Sequence, residues 1–192
     1  GEGRENLEMV VQAGCRARDL VDQILTFSRR GDHARSPLDL SMVLKEVLKL
    51  MRSTLPTTIE IRQNVADAPA QVMADGSQIH QVLMNLCTNA GQAMEDDGGT
   101  LAVSLERLDL DAAHAALRGE IGSGAYHRLT VTDTGRGMDR ATAERVFEPF
   151  FTTKGIGVGT GLGLSVAHGI VTEHGGAISV QSTAGSGTTF EV

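Results

Sequence analysis

A chain of 192 residues, 41 % of them hydrophobic, can form one large domain or a domain of about 150 residues with an appendage. Five Phe, one Tyr and no Trp leave aliphatic side chains to build the core, and the mean hydropathy of −0.07 is that of an ordinary globular chain. The net charge of −7 argues against a nucleic-acid-binding surface, a local basic patch aside. No apolar run approaches the roughly 18 residues of a membrane span and no signal-peptide pattern opens the sequence, so the chain reads as cytoplasmic and free of membrane contact. Cys15 and Cys87 read as reduced thiols packed as small hydrophobes.

Arg4 to Arg30 is predicted to form one long helix without Pro. Val10, Ala13 or Gly14, Ala17, Leu20 or Val21, Ile24 and Phe27 recur at close to a 3.5-residue spacing, the pattern of a seam that packs on another helix. It reads as the second arm of a helical hairpin. Gly31 to Ser36 and Pro37 break the pattern and predict a boundary, with residues 1–35 as hairpin arm and linker and 36–192 as a second domain. There, Leu38 to Leu40 predicts a short strand, and Ser41 is the expected N-cap of a helix through about Ser53. Ile59 to Val65 alternates as a strand, and Val72 and Met73 suggest another. Asp75 to Ala93 is the strongest helix, with Ile79, Val82, Leu83, Leu86 and Ala90 on its apolar face. Leu101 to Leu108 alternates as a strand. Asp109 to Gly124 reads as a connecting insertion, and Leu129 to Thr132 as a strand ending on Asp133. A helix from Leu162 to His174 stops at Gly175-Gly176. Ile178 to Gln181 and Thr188 to Val192 close as an antiparallel pair. Helices and antiparallel strands in this mixture predict an α+β two-layer domain.

The chemistry concentrates between Asp133 and Ser165. After Lys154 come glycines at alternate positions: Gly155, Gly157, Gly159, Gly161 and Gly163. They lead into a predicted helix, so bare backbone N–H groups meet a helix N-terminus, which suits a phosphate. The spacing is neither a dinucleotide fingerprint nor a P-loop, and a nucleotide is the inferred ligand. Asn85 and Asn89 share one helix face, where neutral amide oxygens suit Mg2+ once phosphates supply the negative charge; an asparagine pair at this spacing also occurs on solvated faces. Asp133, at a strand end, can accept a hydrogen bond from an exocyclic amine, which favours adenine over guanine; Asp before Gly is equally a turn former. Thr188 can bring a hydroxyl to the same base or be an ordinary strand residue.

NLCTNA (Asn85 to Ala90), DTGRGM (Asp133 to Met138), FEPFFTTK (Phe147 to Lys154), GTGLGLS (Gly159 to Ser165) and GSGTTF (Gly185 to Phe190) occur in this order. They resemble the asparagine, first glycine, phenylalanine, second glycine and final Gly-Thr boxes of sensor histidine kinases. Arg16 to Arg30 is similar to the second helix of that family's dimerisation and phosphoacceptor domain. The wording NLCTNAGQAM and FEPFFTTK looks most like the nitrogen-regulation and hybrid branches. The resemblance implies the Bergerat fold of the GHKL group, a two-layer sandwich with helices on one face of a mixed sheet, binding ATP and Mg2+. It implies Asn89 as metal ligand, Asn85 beside the phosphates, and Asp133 reading the adenine amine with Gly135 and Gly137 letting the base approach. Gly161 and Gly163 would present N–H groups, and Phe150, Thr153, Gly159, Leu162, Leu164 and Thr188 complete the nucleotide contacts. Lys154 would reach the γ-phosphate or stay a solvated lid residue. Phe147, Phe150 and Phe151 would anchor the lid and dock it on the hairpin.

Two departures stand out. Gln92 occupies a position where many family members carry Lys or Arg, and no phosphoacceptor histidine box is present. His33, His80, His114, His127, His168 and His174 read as surface or packing residues. The expected function is transfer of the ATP γ-phosphate to a histidine outside this chain, for relay to a response-regulator aspartate, by a homodimer formed through the hairpin and anchored to a membrane in some full-length forms. The alternatives are a GHKL-type ATPase and a non-catalytic nucleotide-sensing domain. A serine-directed kinase is a third, against which the hairpin-like helix argues.

Overall fold

The computed structural model describes residues 35–65, 69–111, 121–154 and 159–192. The long helix expected from Arg4 to Arg30, the linker after it, Cys15, His33, His114 and the glycines 155 and 157 lie outside them.

The core is a five-stranded mixed sheet. Its strands are β2 (Ile59–Val65), β4 (Gly99–Leu110), β5 (Gly124–Asp133), β6 (Ser179–Thr183) and β7 (Gly187–Glu191), in the order β2-β4-β5-β7-β6. β2 runs parallel to β4 and every other pairing is antiparallel. One face is apolar because alternate residues point the same way. Leu101, Val103 and Leu105 of β4, Val131 of β5 and Phe190 of β7 are all buried there. The opposite face carries Ala102, Ser104, Thr130, Thr132 and Thr189, half-exposed, as suits a sheet covered on one side.

The covering layer is α1 (Leu40–Thr54), α2 (Gly76–Ala93) and α4 (Gly163–Glu173), with α2 in the middle, touching both other helices. In α2 the residues Val82, Leu83, Leu86, Cys87, Ala90 and Gly91 are buried, the spacing of a single apolar stripe. A short helix α3 (Arg140–Arg145) contacts β6, and β1 (Ser36–Asp39) pairs antiparallel with β3 (Gln71–Ala74) apart from the main sheet. The two-layer α+β class expected from the sequence is the one observed.

Local differences have physical causes. Asp39, not Ser41, caps α1: its carboxylate accepts from the Ser41 N–H at 3.0 Å and the Ser41 hydroxyl at 2.7 Å. It also takes the Ala70 N–H at 3.1 Å, a tertiary bond that Ser41 does not make. Asp75 caps α2, accepting from Ser77 and Gln78. The Asp75 N–H donates to His174 Nε2 at 3.2 Å, so His174 Nδ1 carries the proton donated to the Ile170 carbonyl at 2.8 Å. That histidine clasps the end of α4 to the start of α2. β4 and β5 run past their expected limits because their ladder continues through solvated residues, including the cross-strand pair Glu106–Arg128. No helix among the described residues is long and apolar enough to cross a membrane.

Candidate functional site

The site begins with a carboxylate on the wrong side of a sheet. Leu129, Val131 and Asp133 share the helix-covered face of β5, so the alternation that buries Val131 also buries Asp133, which is 4 % exposed. Register sets a row across four strands: Leu101 opposite Asp133, Asp133 opposite Thr188, and Thr188 opposite Ser182. Burial raises the Asp133 carboxyl above the usual range, while hydrogen bonds from the backbone N–H groups of Gly135 and Thr188 pull it back in part. The Gly135 N–H donates to Oδ1 at 2.9 Å. Thr188 is 5 % exposed, and its hydroxyl lies 2.9 Å from that of Ser182.

The loop after Asp133 is stapled on three sides. The Thr134 N–H donates to the Thr100 carbonyl, the Arg136 N–H to the Ala93 carbonyl, and the Gly185 N–H to the Arg136 carbonyl. This supplies a structural reason for two glycines beside the one expected from the sequence. A Cβ on Gly135 would stand 2.5 Å from the Ala93 carbonyl oxygen, and one on Gly137 2.0 Å from that of Thr183. Close approach of the protein's own backbone is by itself sufficient to require glycine at both positions.

Asn85 and Asn89 sit half-buried on α2 at the border of its apolar stripe. Asn85 Nδ2 donates to the Gly163 carbonyl at 2.9 Å, which fixes the first turn of α4 against α2. Asn89 makes no side-chain hydrogen bond with the described residues, so its amide oxygen is available to a ligand. α4 begins at Gly163 after Leu162 with no side-chain cap, and its leading N–H groups carry the positive end of the helix dipole. Gly163 and Leu164 belong to that first turn, Gly161 and Leu162 lead directly into it, and Gly159 stands just before them in the chain.

The phenylalanine box divides its labour. Phe147 packs into the core, its ring 5.3 Å from that of His168 and 6.2 Å from that of Phe190. Phe151 lies under the Arg145 guanidinium at 4.3 Å. Phe150 is 73 % exposed; the hairpin on which it is expected to dock lies outside the described residues. The Phe150 backbone sits at φ 66°, left-handed and costly for an aromatic residue, held by its N–H to the Gly161 carbonyl at 2.9 Å. Thr153 is exposed. Lys154 is half-buried, and its ammonium donates to Gln92 Oε1. Burial lowers the Lys154 pKa, the nearby Arg136 charge adds to this and Glu95 opposes it. Gln92 is one helical turn beyond Asn89, so the lysine of the lid reaches the asparagine face of α2. Gln92 as a lysine holder, Arg136 and Ser182 were not singled out as site residues from the sequence; only Gln92 carried a signal, as a departure from its box.

The arrangement can hold a nucleoside triphosphate. Asp133 offers a buried acceptor, α4 an uncapped N-terminus, Lys154 a partly desolvated cation and Asn89 an unused amide oxygen. Among the described residues no cluster of three His, Cys, Asp or Glu side chains could hold a metal ion.

Residues 74–192 match the family described as histidine kinase-, DNA gyrase B-, and HSP90-like ATPase. The sensor kinase CckA of Brucella abortus is 38 % identical over 185 residues, 95 % of this chain and 19 % of that protein. The sensor histidine kinase ZraS of Escherichia coli is 31 % identical over 99 % of this chain and 37 % of its own length. The chain thus spans well under half of these curated relatives. Among solved structures, full-length ShkA in complex with AMPPNP superposes with a TM-score of 0.73 at 27 % identity, covering 100 % of this chain and 38 % of that one.

Proposed function

Given that the chain belongs to the histidine kinase-, DNA gyrase B- and HSP90-like ATPase family, as an ATP-binding catalytic domain of the sensor histidine kinase kind, we propose that it binds Mg2+-ATP and passes the γ-phosphate to a histidine on a dimerisation hairpin. The phosphate would then go to an aspartate of a response-regulator receiver domain, with two copies joined through the hairpin.

The observation that carries the reading is Asn85. In the ATPases of this fold a glutamate at that position takes a proton from water. An amide cannot act as that base, and here its Nδ2 is committed to the Gly163 carbonyl at 2.9 Å. Without a base for water, the domain is suited to handing phosphate to an imidazole that needs little activation. What remains for it is positioning and charge neutralisation. Asp133 would accept a hydrogen from the adenine amine, with Thr188 beside it. The N–H groups at the start of α4, from Gly161 through Leu164, would face the phosphates, and Lys154 would bring its charge to the outermost one. Asn89 would hold Mg2+ by its amide oxygen, the metal contributing further neutralisation of phosphate charge.

The test is to incubate the purified chain with γ-labelled ATP and a separately produced hairpin carrying a phosphoacceptor histidine. The expected result is Mg2+-dependent label on that histidine, acid-labile and base-stable, with little free phosphate, and its loss in Asn89→Ala. Rapid phosphate release without transfer would make the chain an ATPase. Binding with neither would make it a nucleotide sensor.

A further inference from the structure

Ser182 lies on the edge strand β6 and belongs to none of the sequence boxes. Its hydroxyl is nonetheless the most heavily used in the site. The Met138 N–H donates to it at 2.8 Å, it donates to the Gly187 carbonyl at 3.0 Å, and it lies 2.9 Å from the Thr188 hydroxyl. A serine hydroxyl has one proton and two lone pairs. With its proton on the Gly187 carbonyl and one lone pair taken by Met138, the second lone pair must receive the Thr188 proton. Thr188 is then an acceptor towards everything else. Its cross-strand neighbour Asp133 has Oδ1 occupied by the Gly135 N–H and, ionised, is also an acceptor only. The row Asp133–Thr188–Ser182 thus presents acceptors without donors.

We propose that Ser182 is a positioning residue that sets nucleobase selectivity by locking the Thr188 hydroxyl as an acceptor. A purine with an exocyclic amine meets matching groups; one with a carbonyl at that position meets two lone-pair-bearing oxygens. Were Thr188 free to rotate, it would turn its proton to the carbonyl and much of the discrimination would go. The inference rests on the reading that Asp133 faces the base.

The experiment is competition binding of ATP and ITP, which differ at the 6-position amine and the adjoining ring nitrogen, to the full 192-residue chain and its variants. Ser182→Ala is expected to lower the ATP-to-ITP preference about fivefold, the worth of one neutral hydrogen bond, with any loss from the freed Met138 N–H falling on both nucleotides alike. Ser182→Thr retains the hydroxyl and is expected to keep the preference. Thr188→Val is expected to lower it too, and adding Ser182→Ala to it to change it no further. An unchanged preference in Ser182→Ala, or in Thr188→Val should the serine variant not fold, overturns the proposal. A wild-type chain that binds both nucleotides equally, or neither, overturns instead the reading of Asp133 on which it stands.

Discussion

Asp133→Asn separates what the site needs from what the fold needs. The carboxylate is 4 % exposed, and its pKa is raised from the ordinary 3.8, with burial the largest cause. For a raised acid the folded state prefers the neutral form. Its favourable contribution is complete below 3.8 and is lost as pH rises through the raised value, so at neutral pH the ionised Asp133 is a burden on the fold. Asparagine is of the same size and its Oδ1 still accepts from Gly135, whose N–H is 2.9 Å from the present oxygen. The bond from the Thr188 N–H is weakened, an effect smaller than the relief of the buried charge, which is the largest cause of the raised pKa. The ligand-free variant is therefore expected to melt at or above the wild-type temperature. ATP, however, loses a hydrogen bond to a charged acceptor, worth about 1.5–3 kcal/mol or roughly 10- to 100-fold in affinity. With Oδ1 on Gly135, Nδ2 turns a donor towards the amine, so preference should shift to the 6-carbonyl purines. Wild-type ATP binding should also weaken on acidification at a pH higher than an ordinary aspartate would give, and that component should vanish in the variant. Calorimetric titration with ATP and GTP from pH 4.5 to 8, beside thermal melts, reads all of this. An unchanged ATP affinity, or a melting temperature well below wild type, would refute the reasoning.

On the proposed role of Lys154 at the outermost phosphate, Lys154→Met should weaken ATP binding more than ADP binding, about tenfold against little change; equal losses would remove that role. Gly187→Ala should cost about 3 kcal/mol in a denaturant titration, combining a left-handed backbone with a close clash. Its φ is +96° and a Cβ would lie 2.0 Å from the Asp133 carbonyl oxygen, so a midpoint close to wild type would refute it. The Cys87 thiol, pushed up to about 12 by burial, should react with alkylating reagents at pH 8 only on unfolding, as peptide mapping would show; labelling of the native chain would contradict its placement.

Much of this was legible because periodicity and burial agree. Val82, Leu83, Leu86 and Ala90 announce α2, and the alternation at Leu101, Val103 and Leu105 announces β4. The boxes located Asn85, Asn89 and Asp133, and the structure sets Asn85 and Asn89 on one border of α2 and Asp133 on the covered face of β5. What stayed hidden needs the third dimension. Asp39 outcompetes Ser41 as a cap through Ala70, 31 residues away. The helix α3, six residues of which only two alanines are apolar and none is buried, has no apolar stripe to betray it. Lys154 and Gln92 are 62 residues apart, and Ser182 looks like any hydroxyl on an edge strand until register sets it opposite Thr188. The wording of two boxes also did not single out a branch, since relatives under several sensor-kinase names match at 38 % and 31 % identity.

The place of β7 bears on how the domain is made. β6 pairs with β7 alone, and β7 lies between β6 and β5. During synthesis the ribosome releases β5 long before its neighbour exists, with the Leu129–Val131 edge open, and β6 emerges with no partner at all. β2, β4 and β5 can pair with one another, but the free edge of β5 and all of β6 must wait for Gly187 to Glu191 to slot in between them. Until then the nascent chain displays an unpaired edge beside apolar residues, the kind of surface that chaperones hold and that seeds aggregation. A ribosome that stalls before Gly187 would release a chain lacking not one strand but two, and leave Asp133 without its cross-strand neighbour Thr188.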